Sequence, residues 1–188
     1  MRMSKIMLDK RGAILTLVLL INSIMILIGT VLLSTASMDF KMKKLNSEVK
    51  KTLYHAEAGI DEAYVITLEF ISSAIEYAIS EEEKDYRIVF IDFIKGNCRD
   101  SIWEKNLTNV LEDNTKYEIY KDNYPSISAV LTEKEDYFDL MITSTYVKGN
   151  IKKIISMLCK ISIPMDEIDF NNIKAEDLVE IIDWKVER

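Results

Sequence analysis

Apolar and polar positions divide this chain into three stretches of different period. From Ala13 to Met38 there is no Asp, Glu, Lys, Arg or His, and apolar residues face every direction. A helix rising about 1.5 Å per residue needs about 20 such residues to cross an apolar layer of about 30 Å, so this run predicts a membrane-spanning helix. From Phe40 onward the apolar residues recur in steps of three and four: Met42, Leu45, Val49, Leu53, Ala56, Ile60, Ala63, Thr67, Phe70, Ala74 and Tyr77. That spacing marks one face of an amphipathic helix, which needs a cover. No proline occurs before Pro125, and Gly59 is the only glycine between Gly29 and Gly96. One helix is therefore expected from about Ala13 to about Ser80.

Beyond Ser80 the pattern shortens and then changes. Residues 81–114 read as mostly helical, with Arg87–Ile94 open to either a helix or a buried strand. Gly96-Asn97 ends that piece, and Ser101 with Glu104 has the spacing of a capping box that starts a second short helix. After Asn114 the period becomes two, first at Tyr117 and Ile119. It continues at Ile127, Ala129, Leu131, then at Phe138, Leu140, Ile142, and then along Ile151, Lys153, Ile155, Met157, Cys159, Ile161, Ile163. Such alternation predicts strands with one covered face. Lys148-Gly149-Asn150 has the chemistry of a hairpin turn, Tyr124-Pro125 and Glu133-Lys134-Glu135 mark other connections, and Pro164 stops the long strand. Residues 165–178 read as an acidic loop, with a last short strand over Val179–Val186. The expected fold class is α+β. A long N-terminal helix, half transmembrane and half amphipathic, packs on a C-terminal antiparallel sheet of about four or five strands. The expected divisions are a leader at 1–12, a membrane segment at 13–38, an amphipathic continuation at 39–80 and a globular part at 81–188.

Charge refines this picture. The net charge is −7, while the first twelve residues carry Arg2, Lys5, Lys10 and Arg11 against Asp9, so the remainder stands at −10. An acidic body argues against a nucleic-acid surface, which rests on clustered Lys and Arg. Lys41, Lys43, Lys44, Lys50 and Lys51 follow the apolar run, where they suit the anionic headgroups of a lipid bilayer. Basic residues flank both ends of the run, so charge alone does not orient it. A secretory signal has an apolar core of about 7–15 residues and a small-residue cleavage site. Ser34-Thr35-Ala36 offers such a site, yet the run is too long and fits a retained anchor better.

The candidate chemistry is sparse. Cys98 and Cys159 either pair or remain two small apolar thiols, and their spacing matches no disulfide framework. His55 is the only histidine, too few for a dyad or a zinc site, and is expected on a helix surface. Glu81-Glu82-Glu83 reads as a solvated helix end. Asn22 and Ser23 interrupt the apolar run with small polar groups that backbone bonding or a neighbouring helix can satisfy. Asn106-Leu107-Thr108 matches a short glycosylation sequon. No phosphate-loop, metalloprotease, nucleophile-elbow or paired-cysteine motif is present. An enzyme is not expected, nor a metal or cofactor.

A basic leader ending in glycine, Lys10-Arg11-Gly12, followed by a long apolar helix, resembles type IV prepilins. Tyr54-His55-Ala56-Glu57-Ala58-Gly59-Ile60-Asp61-Glu62-Ala63 resembles the alanine-glutamate-alanine-glycine segment of PilX-type minor pilins. Ile142–Tyr146, Gly149–Lys153 and Ile163-Pro164 are similar to the terminal hairpin of that group. The likeness is closest over residues 10–65. It implies cleavage by a prepilin peptidase between Gly12 and Ala13, with Ala13 as an N-methylated mature terminus. It also implies a cytoplasmic leader, an extracytoplasmic body, and entry of the helix into a filament among other pilin subunits. Major pilins of this group usually carry glutamate at the fifth mature position, where this chain has Leu17. An unpaired amine in an apolar core is costly, and a subunit at a filament tip has no neighbour above it to meet. The resemblance therefore implies a minor or tip-proximal pilin. Two other expectations compete with it: a single-pass anchored sensor or interaction protein, and a secreted protein starting at Ser37.

Overall fold

A computed structural model describes residues 3–81, 85–98, 105–113, 124–164 and 173–187, with side chains from Ala13 onward. Helix α1 runs Met3–Ser80. It starts ten residues before the expected Ala13, so the backbone from Met3 to Gly12 is helical too. No residue between Met3 and Ala13 breaks a helix except Gly12, whose cost is about 1 kcal/mol. The end at Ser80 falls where the periodicity predicts it. Contacts divide the chain into two units, Met1–Glu48 and Val49–Arg188, so the boundary falls inside the amphipathic stretch.

Within the second unit α1 is followed by α2 (Tyr86–Lys95) and α3 (Leu107–Glu112). Then come β1 (Ser126–Glu133), β2 (Tyr137–Lys148), β3 (Ile151–Ser162), α4 (Ala175–Leu178) and β4 (Val179–Glu187). The four strands form one antiparallel sheet in chain order, β1-β2-β3-β4. The α+β arrangement predicted from the pattern is the one observed. Arg87–Ile94, ambiguous in sequence, lies in a helix. Asp85 caps it by accepting from the Arg87 N–H at 2.9 Å, and Gly96 ends it at φ +77°. The Asn97 N–H reaches back to the Asp92 carbonyl at 2.8 Å, closing the turn as left-handed C-caps do. The acidic loop expected over 165–178 is corrected at its end: Ala175–Leu178 makes one helical turn, closed by the Lys174 N–H donating to Asp177 at 3.1 Å. The capping box at Ser101 and Glu104, the strand at Tyr117 and Ile119, and residues 165–172 of the expected loop lie outside the described residues.

Alternation in the strands decides which face is covered. Ile127, Ala129, Phe138, Leu140, Ile142, Ile155, Met157, Cys159 and Ile161 are buried on one face. Ala56, Ile60, Ala63, Ile66, Phe70, Ile71, Ala74 and Ala78 of α1 join them in a single core. Helix α2 adds Phe90, Phe93 and Ile94, and the Phe93 ring meets Phe70 edge-on at 5.2 Å between centroids. Arg87 ties α2 to the β1–β2 turn by donating to the Glu135 carbonyl at 2.7 Å, and Lys95 pairs with Glu133 at 2.8 Å. Both pairs are exposed, so they orient α2 more than they stabilise it. Gly149, at φ +60°, makes the two-residue β2–β3 turn, as a tight hairpin requires.

Candidate functional site

The candidate site begins at the leader junction and runs along the apolar half of α1. Gly12 and Ala13 sit in continuous helical backbone. From Ala13 to Ser47 every residue is exposed. Leu17, the fifth residue after the junction, is 59% exposed, and Leu33 reaches 73%. Such a run of exposed Leu, Ile and Val is stable only where something other than water covers it. This helix is long and apolar enough to cross a membrane, by length and composition. Three of its hydroxyls are satisfied by the helix itself. Ser23 donates to the Leu19 carbonyl at 2.8 Å, Thr30 to Leu27 at 2.8 Å and Thr35 to Val31 at 2.9 Å. Backbone bonding of this kind lets a small polar residue sit in an apolar layer without a partner helix. The lysines at 41, 43, 44, 50 and 51 are all exposed.

The second part of the site is the seat of α1 on the sheet. The stripe read from sequence is uncovered at Met42 and Leu45, half-buried at Leu53 and closed from Ala56. In the alanine-glutamate-alanine-glycine segment, Ala56, Gly59, Ile60 and Ala63 point inward, while Ala58 and Asp61 face solvent. Gly59 marks a close approach. A Cβ there would lie 2.4 Å from Pro125 Cγ and 2.6 Å from Ser144 Oγ. Only glycine lets the helix come so close to β2 and to the chain entering β1. One turn later, Tyr124 donates its hydroxyl to the Glu62 carboxylate, fastening the same entry segment to the helix. The Ser144 hydroxyl is fully buried and has no hydrogen-bond partner among the described residues. It is small, and the close helix leaves no room for a larger side chain.

The remaining sequence candidates fall apart from these features and from each other. His55 lies on the exposed side of α1, as expected, with its ring stacked on Tyr146 of β2 at 4.6 Å. Cys98 and Cys159 form no disulfide. Cys159 is fully buried in the sheet, and burial pushes its thiol up to about 11 because the thiolate loses its hydration. Asn106 of the sequon is occupied as the cap of α3, accepting from the Asn109 N–H at 2.8 Å, and its neighbour Leu107 is buried. Among the described residues no cluster of three or more His, Cys, Asp or Glu is placed to hold a metal ion. Sequence reasoning missed the Glu62–Tyr124 bond, the His55–Tyr146 stack and the role of Gly59. Only Gly59 left a signal, as a lone glycine in an otherwise uninterrupted helical pattern.

No family profile, curated protein or solved structure matches this chain.

Proposed function

We propose that this chain is a minor pilin or pseudopilin. It is held in a membrane by residues 13–38 with its leader cytoplasmic and its body outside. After cleavage between Gly12 and Ala13 it assembles into a type IV filament, near the tip. One observation carries the reading. A basic leader ending in glycine opens an apolar helix that continues into a half seated, through Gly59, on an antiparallel sheet. Such a helix suits two environments in turn. Its exposed leucines and isoleucines fit lipid before assembly, and the apolar centre of a helix bundle afterwards. Leu17 removes the carboxylate that a subunit within the filament offers to its neighbour's amine, which supports the tip position.

Sequencing the N-terminus of the membrane-extracted chain tests this. A start at Ala13, shifted in mass by one methyl group, supports the pilin. An intact leader favours an anchored sensor or interaction protein, and a start at Ser37 a secreted one; either result overturns the proposal. The tip position has its own test. Leu17→Glu is expected to move the subunit from the tip into the shaft, seen by labelling filaments along their length. An unchanged label distribution sinks the tip position and leaves the pilin reading standing.

A further inference from the structure

Among the described residues, the inward face of the sheet is covered over β1, β2 and β3 but not along β4. Register places Ile181, Trp184 and Val186 opposite the buried Cys159, Met157 and Ile155, on the same face as the core. Yet these three are 45%, 40% and 45% exposed, and the core ends at Val179. A bulge opposite Leu158 and Cys159 also leaves Ile182 exposed. Strand β4 is an edge of the four-stranded sheet, so an apolar row and an edge coincide. Long apolar edges invite another strand unless something blocks them.

We propose that β4 pairs antiparallel with β4 of a second copy of this chain, about a two-fold axis at Trp184. Charge complementarity favours a second copy as the occupant and this register over the adjacent two-fold registers. With Trp184 opposite Trp184, each Asp183 faces Lys185 of the other copy, twice across the seam, and each Ile182 faces Val186. An axis at Asp183 would oppose two carboxylates. An axis at Lys185 would oppose two ammonium groups and set Asp183 against Glu187. A one-residue slip would turn the apolar row of one copy to the wrong face. Over residues 182–186 the chosen register instead gives one aromatic pair, two apolar pairs and two opposite-charge pairs, each of a kind that stabilises antiparallel strands, with Ile181 and Glu187 opposite each other at its ends. The same patch serves both copies, as a two-fold contact requires. The charges are already ordered within one strand: Asp183 accepts from Lys185 Nζ at 2.8 Å and from the Trp184 N–H at 2.9 Å. The hydrogen bond from Lys185 also holds the Asp183 carboxyl below its ordinary range. This contact does not depend on the chain being a pilin.

The test uses the full chain in detergent micelles, treated with a mild oxidant and run on non-reducing gels. Trp184→Cys is expected to give a disulfide-linked dimer well above the background set by the native Cys98 and Cys159. Ile182→Cys mixed with Val186→Cys is expected to cross-link, and either alone much less. Adding Asp183→Lys to Trp184→Cys should return the dimer to background, since lysines then face each other. Adding Lys185→Asp as well should restore it. These side chains are exposed, so an unchanged far-ultraviolet circular dichroism spectrum and melting temperature check that each variant folds. The proposal is overturned if Trp184→Cys stays at background. It is equally overturned if the charge variants cross-link to the same extent, which would mark the row as a lipid-facing or nonspecific apolar surface.

Discussion

Gly29 and Gly59 of helix α1 report opposite surroundings. A Cβ added at Gly29 would meet nothing within 4 Å, whereas one at Gly59 would run into Pro125 and Ser144. The half around Gly29 is apolar on every side and wholly exposed. The half around Gly59 is apolar on one stripe, and that stripe is buried. One helix thus combines two ways of satisfying apolar surface. The first is left to an outside medium and the second to a sheet from the same chain. Most helical stability in proteins comes from what covers the apolar face, and that is where the two halves differ.

Substitutions can break this contrast, beginning with the largest effect. Phe70→Ala removes a fully buried ring and should cost about 3–5 kcal/mol, while Leu27→Ala in the exposed half should leave the unfolding of the sheet unit unchanged. Thermal unfolding of the detergent-solubilised chain, followed by near-ultraviolet circular dichroism, compares the two. Gly59→Ala comes next, at about 1–3 kcal/mol from overpacking against Pro125 and β2. Gly29→Ala should raise helix stability by up to about 1 kcal/mol. Equal effects at the two glycines would mean that α1 is not seated at Gly59.

The thiols sharpen the same contrast inside the second unit. In the folded chain an alkylating reagent at pH 8 should modify the half-buried Cys98 and spare Cys159, with both modified in denaturant; mass spectrometry counts the adducts. The folded state keeps the Cys159 proton up to about 11, above the ordinary value of 9.0. Its contribution to stability is therefore intact below pH 9.0 and lost as pH rises through about 11. A melting temperature flat across that range in the wild-type chain, but falling in Cys159→Ala, would refute this. The smallest effect is expected at Ser144→Ala. Removing a buried hydroxyl that has no partner should be neutral or slightly stabilising, because nothing is left unpaired.

Much of the fold was legible because period reports burial directly. The steps of three and four from Ala56 to Ala74 match the buried face of α1, and the alternation from Phe138 to Ile142 and from Ile155 to Ile163 matches the covered face of the sheet. The same stripe at Met42 and Leu45 is uncovered, since period shows which residues share a face but not how far the cover extends. The apolar segment was legible for a stronger reason. It needs no tertiary partner, so length and composition suffice to recognise a helix able to cross a membrane.

Other features belong to the tertiary structure. Whether Arg87–Ile94 became helix or strand depended on Phe90 and Phe93 packing into the core, because a short apolar run suits both. The strict need for glycine at 59 came from where Pro125 and Ser144 arrive, more than sixty residues away in sequence. The bare row of β4 arose because its inward residues lie past the edge of the core. In sequence, Ile181, Trp184 and Val186 look as coverable as Ile155, Met157 and Ile161. The chain by itself determined which surfaces are apolar and with what period. Only the fold decided which of them it could cover, because cover comes from long-range neighbours that local pattern does not encode.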